Sequence, residues 1–161
     1  MSNQIYLVLD NIRSAYNVGS IFRTADAAGV NKIFICGETP APPSLSRRLT
    51  QGSTRVVKTA LGAEKNVNWE YKDDALQVIR ELKKQKVKII SLEITPKSKN
   101  YLRYKFKAPL ALVLGSETKG VSKKILKESD EILYIPMFGK KESFNVSIAF
   151  AIVISKIREF I

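Results

Sequence analysis

The chain carries short, nearly continuous apolar runs, among them "IYLVLD" at Ile5–Asp10 and "LALVLG" at Leu110–Gly115. Runs of this length, rich in Leu, Ile and Val, suit strands covered on both faces, and such strands build parallel sheets. Between them the period changes. "NVGSIFRTADAAGV" has apolar residues at helical spacing and ends at Gly29, after which Val30 to Ile35 reads as a second strand. The result is a β-α-β unit, the connection that parallel strands require. The alternation resumes with a helix at Asp73–Lys84, whose two aspartates mark its start, and a strand at Val87–Leu92. Leu110–Gly115 follows as a strand, then a short helix near Ser122–Lys127, a strand "EILYIP" at Glu131–Pro136, and a closing helix from Asn145 to about Phe160. The predicted fold class is α/β, one domain over residues 1–161, with a parallel sheet and helices on both of its faces.

From Gly37 to about Thr59 the pattern dissolves into a stretch rich in Pro, Ser, Thr and Arg, predicted to be a long loop. Its Arg47, Arg48 and Arg55 suit contact with phosphates, or simple solvation. The whole chain is basic: 27 Lys and Arg against 15 Asp and Glu give a formal +12. A field of that sign favours polyanions, nucleic acid foremost.

Composition also excludes chemistry. There is no histidine and one cysteine, Cys36. Zinc sites of the Cys/His type and an intrachain disulfide are ruled out, as are Ser-His-Asp and Cys-His catalysis, so no metal is expected. Cys36 ends an apolar run and reads as a packed thiol. The N-terminus lacks the basic-then-apolar pattern of a signal peptide, and no run approaches the ~18 apolar residues of a membrane helix. A cytoplasmic protein without membrane contact is the expectation.

Three segments carry candidate chemistry. "GSETKGVS" (Gly115–Ser122) lies where a strand ends and a helix begins, the position at which open α/β sheets bind ligands. It is not a P-loop, because Val121 and Ser122 stand where Lys and Ser or Thr are needed, and no G-x-G-x-x-G follows any strand. What remains is a tight turn with Glu117 at its centre. In "NVGSIFRTA", Asn17 suits a helix cap, and Arg23 either snorkels to water or is held for an anion. In "IPMFGKKESFNVSIAFAI", Asn145 suits the cap of the last helix with Ser143 as a second acceptor, yet the connection is longer than capping requires. The two glycine-bearing loops at strand ends are placed to wall one pocket.

Taken in order, "NVGSIFRTADAAG", "LVLGSETKGVS" and "IPMFGKKESFNVSIAFAI" resemble the three motifs of the SpoU-type (TrmH-like) 2′-O-ribose RNA methyltransferases of the SPOUT class. "KTALGAE" at Lys58–Glu64 is also similar to members of the group, and Phe144 departs from the leucine that many members carry. The resemblance implies a parallel-sheet SPOUT fold with a C-terminal deep trefoil knot, a homodimer with the site completed near the subunit interface, and S-adenosylmethionine as cofactor. It places Leu114, Gly115, Glu117, Ile135, Pro136, Met137, Ser143, Asn145 and Val146 around that cofactor. Asn17 and Arg23 face the methyl acceptor, with Ser143 and Asn145 orienting the reacting groups. The expected acceptor is a ribose 2′-hydroxyl in RNA. Transfer RNA is expected over ribosomal RNA, because the chain starts almost at its first strand and ends with its last helix. A non-catalytic RNA-binding protein that retains the fold is the alternative, and a nucleotide-binding enzyme lacks its glycine and lysine signatures.

Overall fold

The computed structural model describes residues 3–44 and 51–161, so Arg47 and Arg48 lie outside the described residues. Seven strands form one wholly parallel sheet: β1 (Ile5–Asp10), β2 (Lys32–Cys36), β3 (Trp69–Lys72), β4 (Lys88–Leu92), β5 (Lys99–Asn100), β6 (Leu110–Leu114) and β7 (Glu131–Tyr134). Their order is β3-β2-β1-β6-β4-β7-β5. The register sets β1 beside the full length of β6, Ile5 opposite Leu110 and Leu9 opposite Leu114.

Alternate side chains of each strand serve opposite faces. Leu7 and Leu9 of β1 join Leu112 and Leu114 of β6 on one face, which is covered by α1 (Ala15–Ala27), α2 (Gln51–Ala60) and α6 (Val146–Arg158). Val8, Phe34, Ala111 and Val113 look the other way, onto α4 (Ala75–Lys84) and α5 (Lys123–Glu128). Helices on both faces are thus observed, and the predicted strands and helices recur with ends shifted by a residue or two. Burial of Cys36, with the charges of Asp10 and Asp74 behind it, pushes the thiol up to about 12, so it is an inert core group.

Two readings are corrected. The stretch predicted as loop up to Thr59 contains α2, followed by the short α3 (Ala63–Asn66). In α2 only Ser53, Val56 and Ala60 are buried, a stripe too narrow and polar to show as a helical pattern. That stripe lies on α1, where Gly19 permits a close approach: a Cβ there would sit 2.5 Å from Thr59 Cβ and 2.7 Å from the Val56 carbonyl oxygen. The strands β3 and β5 also go unread in the sequence. They are the two edges of the sheet, one four residues of half-buried "WEYK" and the other two residues long, and edges lack the continuous apolar run that marks the interior.

Candidate active site at the carboxyl edge of the sheet

Sequence order runs outward from β1 to β2 and β3 on one side, while β6 adjoins β1 on the other. The β1/β6 boundary is therefore a topological switch point, where the loops leaving adjacent strands part and open a crevice. Both strands end at this edge, and so do β4 and β7, with Leu92 opposite Leu133.

The loop after β6 folds back on itself. Ser116 and Gly120 form an antiparallel bridge, with the Gly120 N–H donating to the Ser116 carbonyl at 2.8 Å. Gly115 must be glycine for this, because a Cβ would stand 2.3 Å from the Gly120 carbonyl carbon. The tight turn puts the Glu117 carboxylate against the start of α1. It accepts from the backbone N–H of Arg13 (3.0 Å) and Ser14 (3.2 Å), and from the Asn17 amide nitrogen (2.9 Å). A carboxylate at a helix N-terminus meets unpaired N–H groups and the positive end of the helix dipole. Burial pushes this carboxyl up, but the Arg13 N–H, the Asn17 amide, its own N–H and that of Ser14 outweigh it and hold it below the usual carboxylate range.

Asn17 does not cap its helix; Ser14 does, its hydroxyl accepting from the Asn17 N–H at 3.3 Å. The Asn17 side chain is thereby free to bridge. Its oxygen accepts from the Asn145 amide nitrogen at 3.0 Å, while the Asn145 oxygen caps α6 by accepting from the Ser147 N–H at 2.9 Å. A chain of hydrogen bonds, Glu117 to Asn17 to Asn145, ties together the three segments singled out in the sequence.

Beside this chain lies a cavity of about 710 Å³. Of the cofactor candidates, Leu114, Gly115, Glu117 and Ile135 line it from the strand ends, and Met137, Ser143, Asn145 and Val146 from the last loop and α6. Pro136 lies between two lining residues without lining the cavity itself. Ser143 takes no hydrogen bond from the described residues, so the second cap acceptor expected of it is not formed. Arg23 is set apart: exposed on α1 six residues beyond Asn17, it does not line the cavity and pairs with no described residue. Arg55 is exposed on α2.

Sequence reasoning missed Arg13, Ser14 and Glu93. Ser14 was legible as a cap three residues ahead of Asn17. Glu93 carries no local signal, because its partner is remote: it follows β4, lines the cavity, and accepts from the Val121 N–H at 2.8 Å. Among the described residues no group of three or more His, Cys, Asp or Glu is placed to hold a metal, and no helix is long and apolar enough to cross a membrane.

Fold and site together define an open parallel α/β protein with a ligand cavity at the carboxyl ends of β4, β6 and β7. The chain belongs to the SpoU rRNA methylase family, whose model matches residues 4–155. It is 30% identical over 145 residues to the tRNA (guanosine(18)-2′-O)-methyltransferase of Aquifex aeolicus, covering 90% of this chain and 64% of that protein. It is 34% identical over 145 residues to the 23S rRNA (guanosine-2′-O-)-methyltransferase RlmB of Ralstonia nicotianae, covering 90% of this chain and 54% of that protein. The chain thus spans between half and two thirds of the length of these relatives. An AdoMet-bound rRNA methyltransferase from Sinorhizobium meliloti shares the fold, with a TM-score of 0.83 and 24% identity over 99% of this chain and 57% of that one.

Proposed function

We propose that residues 1–161 act as one SpoU-type domain that transfers a methyl group from S-adenosylmethionine to a ribose 2′-hydroxyl in RNA. The observation that carries this reading is the hydrogen-bond chain from Glu117 through Asn17 to Asn145, which fixes the first motif segment to the two that line the cavity. The cavity fits the cofactor's chemistry: its volume is in the range of small-molecule sites, and Leu92, Leu114, Ile135 and Ala149 offer an apolar slot for a purine. Bound there, S-adenosylmethionine supplies a methyl group already activated by its positive sulfur, so the reaction needs neither a nucleophilic side chain nor a metal.

The protein's own residues orient and neutralise. Asn17 and Asn145, each fixed by a partner at both ends of its amide, hold the acceptor ribose in place with Ser143 beside them. Arg23 is a poor base and a good anion ligand; its role is to bind the phosphate next to the acceptor and to stabilise developing alkoxide charge. Because Arg23 stands away from the cavity of its own chain, it does this in a homodimer, where two subunits share the acceptor cleft. The dimer reading is supported by exposed apolar side chains next to the Asn17–Asn145 bond: Tyr16 is 56%, Phe144 42% and Ile148 51% exposed. The deep trefoil knot of the family belongs to the same reading. It is supported by a strand order in which β6 enters between β1 and β4, and β7 between β4 and β5. The cytoplasm is the compartment that belongs to this reading. Arg55 belongs to the basic surface that holds RNA.

The test is calorimetric titration with S-adenosylmethionine against ATP and NAD, followed by methyl transfer to unmodified transfer and ribosomal RNA. The readout is resistance of the adjacent phosphodiester to alkaline cleavage. Selective binding at one site per subunit, with Arg23→Ala abolishing transfer and sparing that affinity, is the expected result. Absence of S-adenosylmethionine binding, with RNA and without it, leaves an RNA-binding protein that keeps the fold.

A further inference from the structure

Glu93 is a half-buried carboxylate on the cavity wall that no motif accounts for. It follows β4, and β4 lies between β6 and β7, so Glu93 stands on the far side of β6 from Asn17. Its immediate neighbours in the wall are the apolar Leu92, Ile94 and Val121. Both of its oxygens are held, one by the Ile94 N–H at 2.9 Å and the other by the Val121 N–H at 2.8 Å. Gly120 makes room for it: its φ of +65° suits glycine, and a Cβ there would stand 2.1 Å from the Glu93 oxygen.

A carboxylate oxygen has two acceptor sites, and each backbone bond takes one. Glu93 thus presents a fixed, charged acceptor pair with a free site on each oxygen, at the border between the apolar slot and the polar end of the cavity. The other acid in the cavity wall, Glu117, is committed to the start of α1 and to Asn17. A ligand that meets Glu93 from this cavity must bring donors. Resting on the methyltransferase reading, we propose that Glu93 binds the vicinal ribose hydroxyls of the cofactor's adenosine, the group that adjoins a purine seated in the slot. A half-buried carboxylate at a strand end is suited to a ribose diol, since two adjacent hydroxyls match its two oxygens and the bonds are charge-assisted.

The two backbone bonds give Glu93 a second effect, bracing the exit of the Gly115–Gly120 turn, and the experiment separates the two. The probes are S-adenosylhomocysteine and its 2′,3′-dideoxyribose analogue, titrated into the wild-type protein and into Glu93→Gln, which keeps the shape and one acceptor oxygen. The wild-type protein is expected to bind the diol compound about ten-fold or more tightly than the dideoxy compound, and the variant to lose most of that preference while binding the dideoxy compound nearly as the wild type does. A variant that retains the full preference overturns the assignment. So does one that weakens both compounds equally, which makes Glu93 a brace alone. Wild-type protein that binds neither compound overturns the methyltransferase reading itself, a result distinct from either.

Discussion

Asn145 uses the two ends of one amide for two purposes. Its oxygen caps α6 and its nitrogen reaches Asn17, 128 residues away in sequence. Serine caps helices as well as asparagine does but has no nitrogen to give, so Asn145→Ser separates the two roles. Thermal or urea denaturation is expected to show a loss within about 0.5 kcal/mol. Single-turnover methyl transfer is expected to fall by about 10²-fold, as the acceptor's orienting group comes loose. Turnover at the wild-type rate would remove Asn145 from the acceptor site. Glu117 makes a prediction of opposite kind, one that depends on pH. Its carboxyl is held below its ordinary range in the fold, so its contribution to stability is present above the unfolded carboxyl's pKa, about 4.3, and disappears as pH falls through the lower native value. Glu117→Gln, which turns an amide N–H toward one of the donors, should cost about 1 kcal/mol at pH 7, at the modest end because the side chain is exposed to water. The difference should vanish in acid, below the native carboxyl's pKa; a gap that persists there refutes the electrostatic account. Each of these residues was visible in the sequence as a cap or a turn acid, but the bonds among them were not. They join positions 100 and more apart, and only the sheet register brings those positions together.

At the scale of elements, legibility followed burial. Strands β1, β4 and β6 are interior and nearly continuous in apolar residues, so their existence could be read from the chain alone. Helix α2 could not, because its buried stripe is only Ser53, Val56 and Ala60, one of them polar, and most of the rest of "QGSTRVVKTA" is polar. What holds α2 in place is written on α1 instead, as the missing side chain of Gly19. With Val56 O and Thr59 Cβ both under 3 Å from the site of a Cβ, Gly19→Ala must push the two helices apart. Overpacking of this kind costs about 1–3 kcal/mol, more than alanine returns as the better helix former. The denaturant midpoint should drop with an unchanged slope, since the surface exposed on unfolding stays the same. A variant as stable as the parent would mean that α2 packs less closely than the structure shows. The edge strands escaped notice for a related reason: β5 is held by two pairings, Lys99 with Leu133 and Asn100 with Tyr134, and its lysine bonds to Glu131 across the edge.

For the whole molecule, the question is why a site built by one chain leaves Arg23 outside it. Asn17, Asn145 and Glu117 are bonded to one another, whereas Arg23 is exposed farther along α1, and exposed Tyr16, Phe144 and Ile148 flank the site. A homodimer resolves both facts if each subunit supplies Arg23 to an acceptor bound at its partner's cavity. An isologous pair would then carry two composite sites, each needing the Asn145 of one chain and the Arg23 of the other. Subunit mixing tests this directly. Arg23→Ala and Asn145→Ser are each expected to be nearly inactive in methyl transfer, and each homodimer contains only defective sites. After unfolding and refolding together, half of the dimers are mixed, and each mixed dimer has one site with both groups intact. Equimolar mixing should therefore restore about a quarter of wild-type activity if the arginine acts across the interface, with the restored fraction tracking the proportion of mixed dimers. If Arg23 serves the cavity of its own chain, every site in a mixed dimer lacks one group or the other, and mixing restores nothing.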